Sequence, residues 1–482
     1  MARTKNGTAR SSTRGSIIDR LRKRIANRND FAPDASTPAP QGWLSRHINA
    51  WWNRLIGAVF SGRVAEQTER YASHRTTRDY VCNTLGLIAW GTLFPVLSIV
   101  TTQLAGAELA GMFSLAMVVG QLLLFLANYG VRTFQVSDVD EMEAFLDYQI
   151  SRVVTCVAMM LVGIIFIRVR GYAEPMASIC LWVFAFRMVD GLADVYEGRL
   201  QQKDKLYLAG ISQFVRCLAG MIVFSAVLLV TRNVVWACFG MALAAIASFV
   251  VLTLPLTLFE TENSYPWSMR GVKEIFVQCF PLFCGLFLYN VIEALPKIAM
   301  EGVLSYEDQL CYNAMFFPSQ IILMLAGFVY KPQLVRLANI WEDPDPEQRK
   351  RFDLLIILFV AFIALVTGVT ALIMAWIGIP AMSFLYGIDF EPYRPLALVL
   401  VASGGICAAI DFIYQIIAVL REQQGVAKLY LISIAFSVPI ILLLINFAQL
   451  AGAVVGTLVI MSILLVLLIM EYSSIRGRLR RW

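Results

Sequence analysis

The stretch CLWVFAFRMVDGLADVYEGRLQQKDKLYLAG, residues 180–210, begins as a membrane-spanning helix and then carries Arg187, Asp190, Asp194 and Glu197. Each ionisable side chain in hydrocarbon is costly by about 2.5 kcal/mol or more, so such groups normally face a cavity or one another. At 100° per residue these four side chains fall within a sector of about 80°. The spacing therefore predicts one polar stripe on an otherwise apolar helix, which is typical of a helix that lines a central cavity.

The same stripe has a second interpretation, in which the charges only tie the helix to its neighbours. Arg187 and Asp190 are three residues apart and can pair on the helix surface. The stripe holds three acids against one base, which favours the cavity. Both interpretations stay open at the level of sequence.

The composition of the chain indicates an integral membrane protein. Of 482 residues, 58% are hydrophobic and 15% are charged, and the mean hydropathy is +0.67. From about Asp79 onward, apolar windows long enough to cross about 30 Å of hydrocarbon recur with short polar breaks. We predict an all-α polytopic fold with about twelve transmembrane helices in two six-helix lobes around a central cavity. The predicted spans are 80–103, 109–131, 149–169, 175–197, 207–230, 234–258, 273–298, 309–330, 353–377, 393–419, 428–447 and 450–471.

A repeated phrase supports the division into two halves. QQKDKLYLAGIS begins at Gln201 before the fifth span, and QQGVAKLYLISIA begins at Gln423 before the eleventh. Phrases six spans apart indicate an internal duplication whose pseudo-twofold axis runs along the membrane normal. The predicted domains are a basic extension at 1–78, a six-helix lobe at 79–259, a cytoplasmic linker at 260–272, a second six-helix lobe at 273–475 and a basic tail at 476–482.

The distribution of basic residues predicts the orientation. Of 40 Lys and Arg residues, 15 precede Asp79 and four follow Ile475. Because basic loops stay in the cytoplasm, we expect both termini to be cytoplasmic and the protein to be a multi-pass protein of the cell membrane.

The extension at 1–78 carries 15 basic and five acidic residues and is predicted to be largely disordered. Two segments, GSIIDRLRKRIANR and WLSRHINAWWNRLIGAVF, have the spacing of amphipathic helices. Trp on the apolar face and Arg on the polar face favour binding to anionic inner-leaflet lipids, with a cytoplasmic partner protein as the alternative. No nucleic-acid partner is expected, because no recognised nucleic-acid-binding fold accompanies the charge.

Other spans contribute further charges to the predicted interior. Arg216 lies in the fifth span, Glu293 and Lys297 flank Pro296 in the seventh, and Asp411 lies in the tenth. Pro296 removes a backbone hydrogen bond, so we predict a helix kink there. Lys297 either lines the cavity or extends to the outer interface. Asp411 either mirrors an acid of the stripe in the duplicated half or pairs with a neighbouring base.

No catalytic motif is present in the sequence. Both histidines, His47 and His74, precede the first predicted span, and there is no phosphate-binding glycine loop. We therefore predict a transporter rather than an enzyme, with no cofactor and no metal site.

Three stretches resemble a known family. They are DVYEGRLQQKDKLYLAGISQFVR from Asp194, LYNVIEALPKIAMEGVLSYEDQLCYNAMFFPSQIILMLAGFVYKPQL from Leu288, and IGIPAMSFLYGIDFEPYRPLALVLVASGG from Ile377. Over about Asp79 to Glu471 the chain resembles the Wzx-type polysaccharide flippases of the multidrug, oligosaccharidyl-lipid and polysaccharide (MOP) exporter superfamily.

The resemblance implies a carrier that moves a polyprenyl-diphosphate-linked oligosaccharide from the inner to the outer leaflet by alternating access. Such a carrier acts in the biosynthesis of cell-surface polysaccharide or lipopolysaccharide. A guanidinium can bond two phosphate oxygens at once, so Arg187 and Arg216, followed by Lys297, are the expected diphosphate contacts. Five acids would hold these cations or bind a coupling H⁺ or Na⁺. They are Asp190, Asp194, Glu197, Glu293 and Asp411.

Three other functions stay open. A lipid II flippase would also carry a diphosphate head group, and a cation-coupled multidrug exporter of the same superfamily would share the two-lobe architecture. A membrane glycan polymerase or ligase would need a large outward loop, whereas the longest predicted outward loops, at 301–308 and 378–394, are modest.

Overall fold

The computed structural model describes residues 67–138, 141–261, 267–330, 334, 337, 346–420 and 424–479. The two predicted amphipathic segments of the N-terminal extension and Gln423 of the repeated phrase lie outside these residues. Contacts divide the chain after Ala72, and every contact described below lies within the unit that begins at Ser73.

The first half of the chain forms helices that run back and forth with short connections. They are α1 (Gln67–Ala105), α2 (Ala107–Asn128), α3 (Val131–Ser137), α4 (Phe145–Arg170), α5 (Met176–Gln202), α6 (Leu206–Thr231), α7 (Val234–Ser248) and α8 (Leu254–Glu260). A π-helical turn at Phe249–Thr253 joins α7 to α8, so that these two helices form the sixth span.

The second half is also helical. Its helices are α9 (Met269–Ala299), α10 (Tyr306–Tyr330), α11 (Pro346–Ile373), α12 (Ile379–Tyr386), α13 (Arg394–Val419) and α14 (Gln424–Leu479). A second π-helical turn, Met374–Gly378, joins α11 to α12. Helix α9 continues through Pro296 and ends at Ala299, and the kink stays a prediction.

The number of spans agrees with the sequence. Among the described residues, eleven helical segments are long and apolar enough to cross a membrane, and the last runs over Gly425–Gly477. Helix α14 contains a non-helical residue, Gln449, at φ 51° and ψ −128°, so this segment is two spans joined by a tight break. The predicted break between residues 447 and 450 is therefore confirmed, and the described residues form a multi-pass bundle of twelve spans.

The buried hydrophobic side chains form two large clusters. One is drawn from residues between Ala89 and Ala245, and the other from residues between Ile292 and Ile475, with Ala110. A small third cluster joins Val131, Tyr148 and Val195 of the first half to Ile275 and Cys279 of α9. The boundaries of the domains at residues 79–259, 260–272 and 273–475 stay predictions.

Gly210 brings α1 and α6 into close contact. A Cβ atom on Gly210 would overlap the Cys82 carbonyl, and one on Gly86 would lie 2.7 Å from the Gly210 oxygen. We expect Gly210→Val to lower the free energy of unfolding by about 2 kcal/mol, because neither helix backbone can move aside without strain. Thermal unfolding in detergent measures the effect. Gly368→Val is the matched control, because nothing lies within 4 Å of a Cβ there. Equal stability of both variants would contradict the close contact.

Glu141 joins the connection between α3 and α4 to the end of α5. Its carboxylate pairs with Lys203 and lies 3.1 Å from Arg199 Nη1. Burial raises the pKa of Glu141, but the hydrogen bond from Lys203 and the charge of Arg199 outweigh burial and hold the pKa below its usual 4.5.

Because the pKa is lowered, the charged form of Glu141 stabilises the fold at every pH above its ordinary pKa. This contribution disappears as the pH falls through the lowered pKa. We expect Glu141→Gln to lower the free energy of unfolding by about 1 kcal/mol at neutral pH. The difference from the wild type should shrink once the pH is below 4.5. Unfolding of both proteins across this range checks the prediction, and a difference that does not change with pH would refute it.

Candidate functional site

A cavity of about 370 Å³ lies between the two halves. Helices α1 and α2 line it from the first half, and α9 and α10 line it from the second. These are spans one and two and spans seven and eight, the pairs that a six-span duplication makes equivalent. Arg187 of α5 and Tyr386 of α12 complete the wall.

The lining is rich in aromatic rings and side-chain amides. The rings are Trp90, Phe94, Phe125, Tyr289, Phe316, Phe317 and Tyr386. The amides are Gln121, Asn290, Asn313 and Gln320. Apolar and aromatic walls with a few well-placed polar groups are typical of small-molecule sites. Three charges stand in this wall, namely Arg187, Lys297 and Glu293.

Lys297 and Glu293 form the charged part of the wall that α9 provides. Lys297 Nζ lies 3.4 Å from Glu293 Oε1 and 3.9 Å from the centre of the Phe316 ring. Gln320 Nε2 of α10 donates to the same Glu293 oxygen at 2.9 Å. Lys297 is 9% exposed, so its side chain lies against the cavity wall.

Arg187 supplies the cation on the opposite wall. Its Nη1 donates to Asp190 Oδ2 at 3.1 Å, and its guanidinium lies 5.6 Å from the centre of the Trp90 ring. Among the described residues, no acceptor reaches the buried Arg187 Nε. Gly120 of α2 leaves room for this side chain, because a Cβ there would lie 3.3 Å from Arg187 Cγ. In the described part of the chain, one hydrogen bond uses one of the five N–H groups of this guanidinium, so other donors remain for a ligand.

Behind Arg187 lies a buried network of charges. Arg216 Nε donates to Asp190 Oδ1 at 2.9 Å, and Arg216 Nη1 donates to Glu197 Oε1 at 2.6 Å. Asp190, Glu197 and Arg216 are all at most 5% exposed. Since the three side chains come from α5 and α6, the network holds these two helices together.

Two further arginines enclose Asp194. Arg132 Nη1 of α3 lies 2.9 Å from Asp194 Oδ1, and Arg152 Nη2 of α4 lies 2.8 Å from Asp194 Oδ2. Arg132 also approaches Glu197 Oε2 at 3.9 Å. The network thus joins four guanidinium groups to three carboxylates and carries an excess of one positive charge.

The π-helical turn of the sixth span reaches the same network. Thr253 is the last residue of this turn, and its hydroxyl lies 2.8 Å from the Ser212 hydroxyl. Ser212 donates in turn to Glu197 Oε1 at 3.1 Å. π-helical turns are frequent at functional sites. Here the turn places the Thr253 hydroxyl against Ser212, which in turn bonds Glu197.

The predicted stripe of α5 divides in the structure. Arg187 faces the cavity between the halves. The three acids, Asp190, Asp194 and Glu197, are turned towards arginines of α3, α4 and α6. The reason is that those basic partners, on neighbouring helices, can neutralise the acids inside the lobe. Arg216 likewise belongs to this network and is absent from the cavity wall.

The remaining predicted residues lie in the second half. Glu293 and Lys297 face the cavity as a pair. Asp411 of α13 accepts a hydrogen bond from the Tyr330 hydroxyl of α10 and is not part of the cavity wall. Pro296 lies in α9 beside Lys297.

Sequence reasoning missed Arg132 and Arg152. Arg152 lies inside the predicted third span, at 149–169, and an arginine so placed is itself a signal of a buried partner. Arg132 follows the second span directly and looked like an ordinary loop residue. The cavity amides also carried no signal, because uncharged polar residues are common in spans.

Comparison with known proteins identifies the class of fold. No family model matches the sequence. The capsular polysaccharide biosynthesis protein CapF of Staphylococcus aureus is 21% identical over 239 residues. That alignment covers 49% of this chain and 59% of CapF, so the match spans less than two thirds of the relative.

Solved structures give the wider likeness. The MATE transporter VcmN of Vibrio cholerae in its bent form has a TM-score of 0.55 at 14% identity, covering 84% of this chain and 98% of VcmN. A MOP-superfamily transporter from Pyrococcus furiosus has a TM-score of 0.54 at 12% identity, covering 84% and 96%. A MATE transporter in an inward-facing conformation also has a TM-score of 0.54, at 11% identity, covering 80% and 96%. The chain therefore has the fold of MOP-superfamily transporters.

Proposed function

We propose that this protein is a flippase that moves a polyprenyl-diphosphate-linked oligosaccharide from the inner to the outer leaflet of the cell membrane. In this proposal both termini are cytoplasmic, the two lobes alternate in exposing the cavity, and the product enters cell-surface polysaccharide biosynthesis. The fold of known transporters supports the general activity. The similarity to CapF, a capsular polysaccharide biosynthesis protein, supports the substrate class.

One observation carries the proposal. Arg187 and Lys297 face the same cavity from opposite halves of the molecule, among aromatic rings and amides. Arg187 uses one of its five N–H donors on Asp190, and an ammonium such as Lys297 has three donors, of which Glu293 takes one. A diphosphate is anionic and needs such donors within hydrocarbon, whereas the lipid tail can remain in the bilayer.

The buried network keeps the cavity cationic. Asp190 pairs with both Arg187 and Arg216, so its single negative charge does not fully neutralise Arg187. Since the four arginines exceed the three acids by one charge, an anion approaching Arg187 meets a positive potential.

The proposal includes coupling of transport to H⁺ or Na⁺ through acidic side chains. Asp190 and Asp194 each contact two arginines. A coupling cation at these acids would have to displace a guanidinium, which would then be released to bind substrate. Glu293 is the acid of the cavity wall and is the simplest site for a coupling proton.

A multidrug exporter is the second candidate, because several structures of the same fold are MATE transporters. Glu293 could attract a cationic drug. The cavity holds two cations against this one acid, which favours an anionic substrate over a cationic one.

Deletion of the gene tests the function in cells. We expect a lipid-linked oligosaccharide to accumulate on the inner leaflet, and the wild-type gene to reverse this accumulation. Accumulation of lipid II would instead assign the protein to murein precursor export. Loss of drug resistance without any accumulated lipid-linked sugar would support the multidrug exporter.

A further inference from the structure

The two walls of the cavity differ in hydrogen-bonding character. On the wall formed by α9 and α10, two of the three side-chain amides are held by their own helices. Asn290 Nδ2 donates to the Leu286 carbonyl at 2.8 Å, and Asn313 Nδ2 donates to the Gln309 carbonyl at 2.9 Å. Because a carbonyl can only accept, the nitrogen of each amide must face the helix backbone. The two amide oxygens are left for the cavity.

Glu293 and Gln320 extend this acceptor surface. Gln320 uses its nitrogen to donate to Glu293 Oε1, which leaves its own oxygen as an acceptor. Among the described residues, both donors to Glu293 reach Oε1, and none reaches Oε2. A carboxylate offers about four acceptor positions in all. Glu293 can therefore accept at least two more hydrogen bonds from a ligand.

The opposite wall presents a donor instead. Arg187 has no acceptor capacity, and one of its five N–H donors is used by Asp190 among the described residues. The cavity therefore has a donor at α5, and beside Lys297 it has a group of acceptors on α9 and α10. A ligand that fits both sides is anionic at one end and rich in hydroxyl or amide N–H donors at the other.

We infer that the acceptor wall, formed by Asn290, Glu293, Asn313 and Gln320, is a recognition subsite for the sugar next to the diphosphate, and that it selects an uncharged sugar. Hydroxyl and N-acetyl groups of such a sugar donate to the four acceptors. Phe317 of α10 borders the same wall and offers a flat apolar surface to the C–H face of a sugar ring. This inference rests on the proposed function.

Glu293 is the specificity-determining residue of this subsite. A hexuronic acid would bring a second carboxylate towards the Glu293 carboxylate, and like charges at a partly buried site repel each other. Lys297 is already engaged with Glu293 and with the Phe316 ring, so it relieves this repulsion only in part. Acidic sugars in this position are therefore excluded.

Equilibrium binding to the purified full-length protein tests the inference with three synthetic probes. All share a short polyprenyl diphosphate. One carries an N-acetylhexosamine, one a hexuronic acid and one no sugar. We expect the wild type to bind the N-acetylhexosamine probe about tenfold more tightly than either other probe, as expected for hydrogen bonds to a charged acceptor.

Glu293→Gln should remove the discrimination against the hexuronic acid. The matched control is Glu307→Gln, the same change at an exposed residue, which should keep the preference. As a second variant, Asn313→Leu removes an acceptor without changing charge. It should weaken binding of the N-acetylhexosamine probe about fivefold and leave the sugar-free probe unchanged.

The outcomes separate this inference from the proposed function. If the wild type binds all three probes equally, or if Glu293→Gln and Asn313→Leu leave the preference intact, the sugar subsite is wrong and the flippase proposal stands. If the folded wild type binds none of the three probes, the proposed function is wrong and the subsite falls with it.

Discussion

Asp194→Asn is expected to lower the free energy of unfolding by about 3 kcal/mol, because it leaves the buried Arg152 without its carboxylate. Arg152 has a fully buried side chain and lies 2.8 Å from Asp194 Oδ2. Its other contacts, the Ala127 carbonyl and the Asn128 side chain, are neutral. Arg132 is less affected, since it keeps Gln201 and the more distant Glu197. Thermal unfolding in detergent, followed by size-exclusion chromatography, measures the loss.

Two comparisons make this prediction specific to burial. Glu391→Gln breaks a 2.8 Å pair with Arg394 whose acid is 58% exposed, and such a pair contributes at most about 1 kcal/mol. The double variant Arg152→Met with Asp194→Leu should recover most of the stability, because an apolar pair of similar volume avoids the desolvation of two charges. A double variant as unstable as Asp194→Asn would contradict this explanation.

Arg187→Gln is expected to reduce transport of the lipid-linked oligosaccharide about 100-fold while the protein remains folded. The loss follows from removing the charged donor on the α5 side of the cavity, since hydrogen bonds to charged groups contribute about 1.5–3 kcal/mol. Folding should survive because Asp190 keeps Arg216, whose Nε lies 2.9 Å away. The transport rate in proteoliposomes, normalised to folded protein, provides the measurement.

Arg187→Lys and Arg232→Gln complete the series. Lysine keeps the charge but lacks the planar fork that bonds two oxygens, so its rate should lie between the wild type and Arg187→Gln. Arg232 is an exposed arginine outside the cavity wall, and its Nη1 donates to the Leu104 carbonyl. Its variant should transport normally. Equal rates for Arg187→Gln and Arg232→Gln would remove Arg187 from the site.

Hydropathy was enough to predict the spans. All twelve appear, and even the short break before residue 450 corresponds to Gln449. Each span must satisfy its own backbone hydrogen bonds within the membrane, so it forms one continuous apolar helix. The hydropathy signal of a span is therefore local and strong. Arg187, Lys297 and Glu293 could also be chosen from sequence, because charges in apolar spans are rare.

Helical periodicity shows which residues share a face but not which neighbour that face meets. The periodicity of α5 predicted a single polar stripe, yet Asp194 is bound by Arg132 and Arg152, which lie 62 and 42 residues earlier in the chain. Packing decides such partners. The acceptor character of Asn290 and Asn313 was equally hidden, because it depends on which carbonyl each amide bonds.

Lipid flipping by the purified protein tests the central claim most directly. Liposomes with and without the protein would contain a polyprenyl-diphosphate oligosaccharide in both leaflets, and a membrane-impermeant reagent would report the outer fraction. We predict that wild-type protein makes the protected inner fraction accessible, and that Arg187→Gln proteoliposomes behave like protein-free ones. Wild-type proteoliposomes that keep the inner fraction protected as protein-free liposomes do, despite correctly folded protein, would contradict the account.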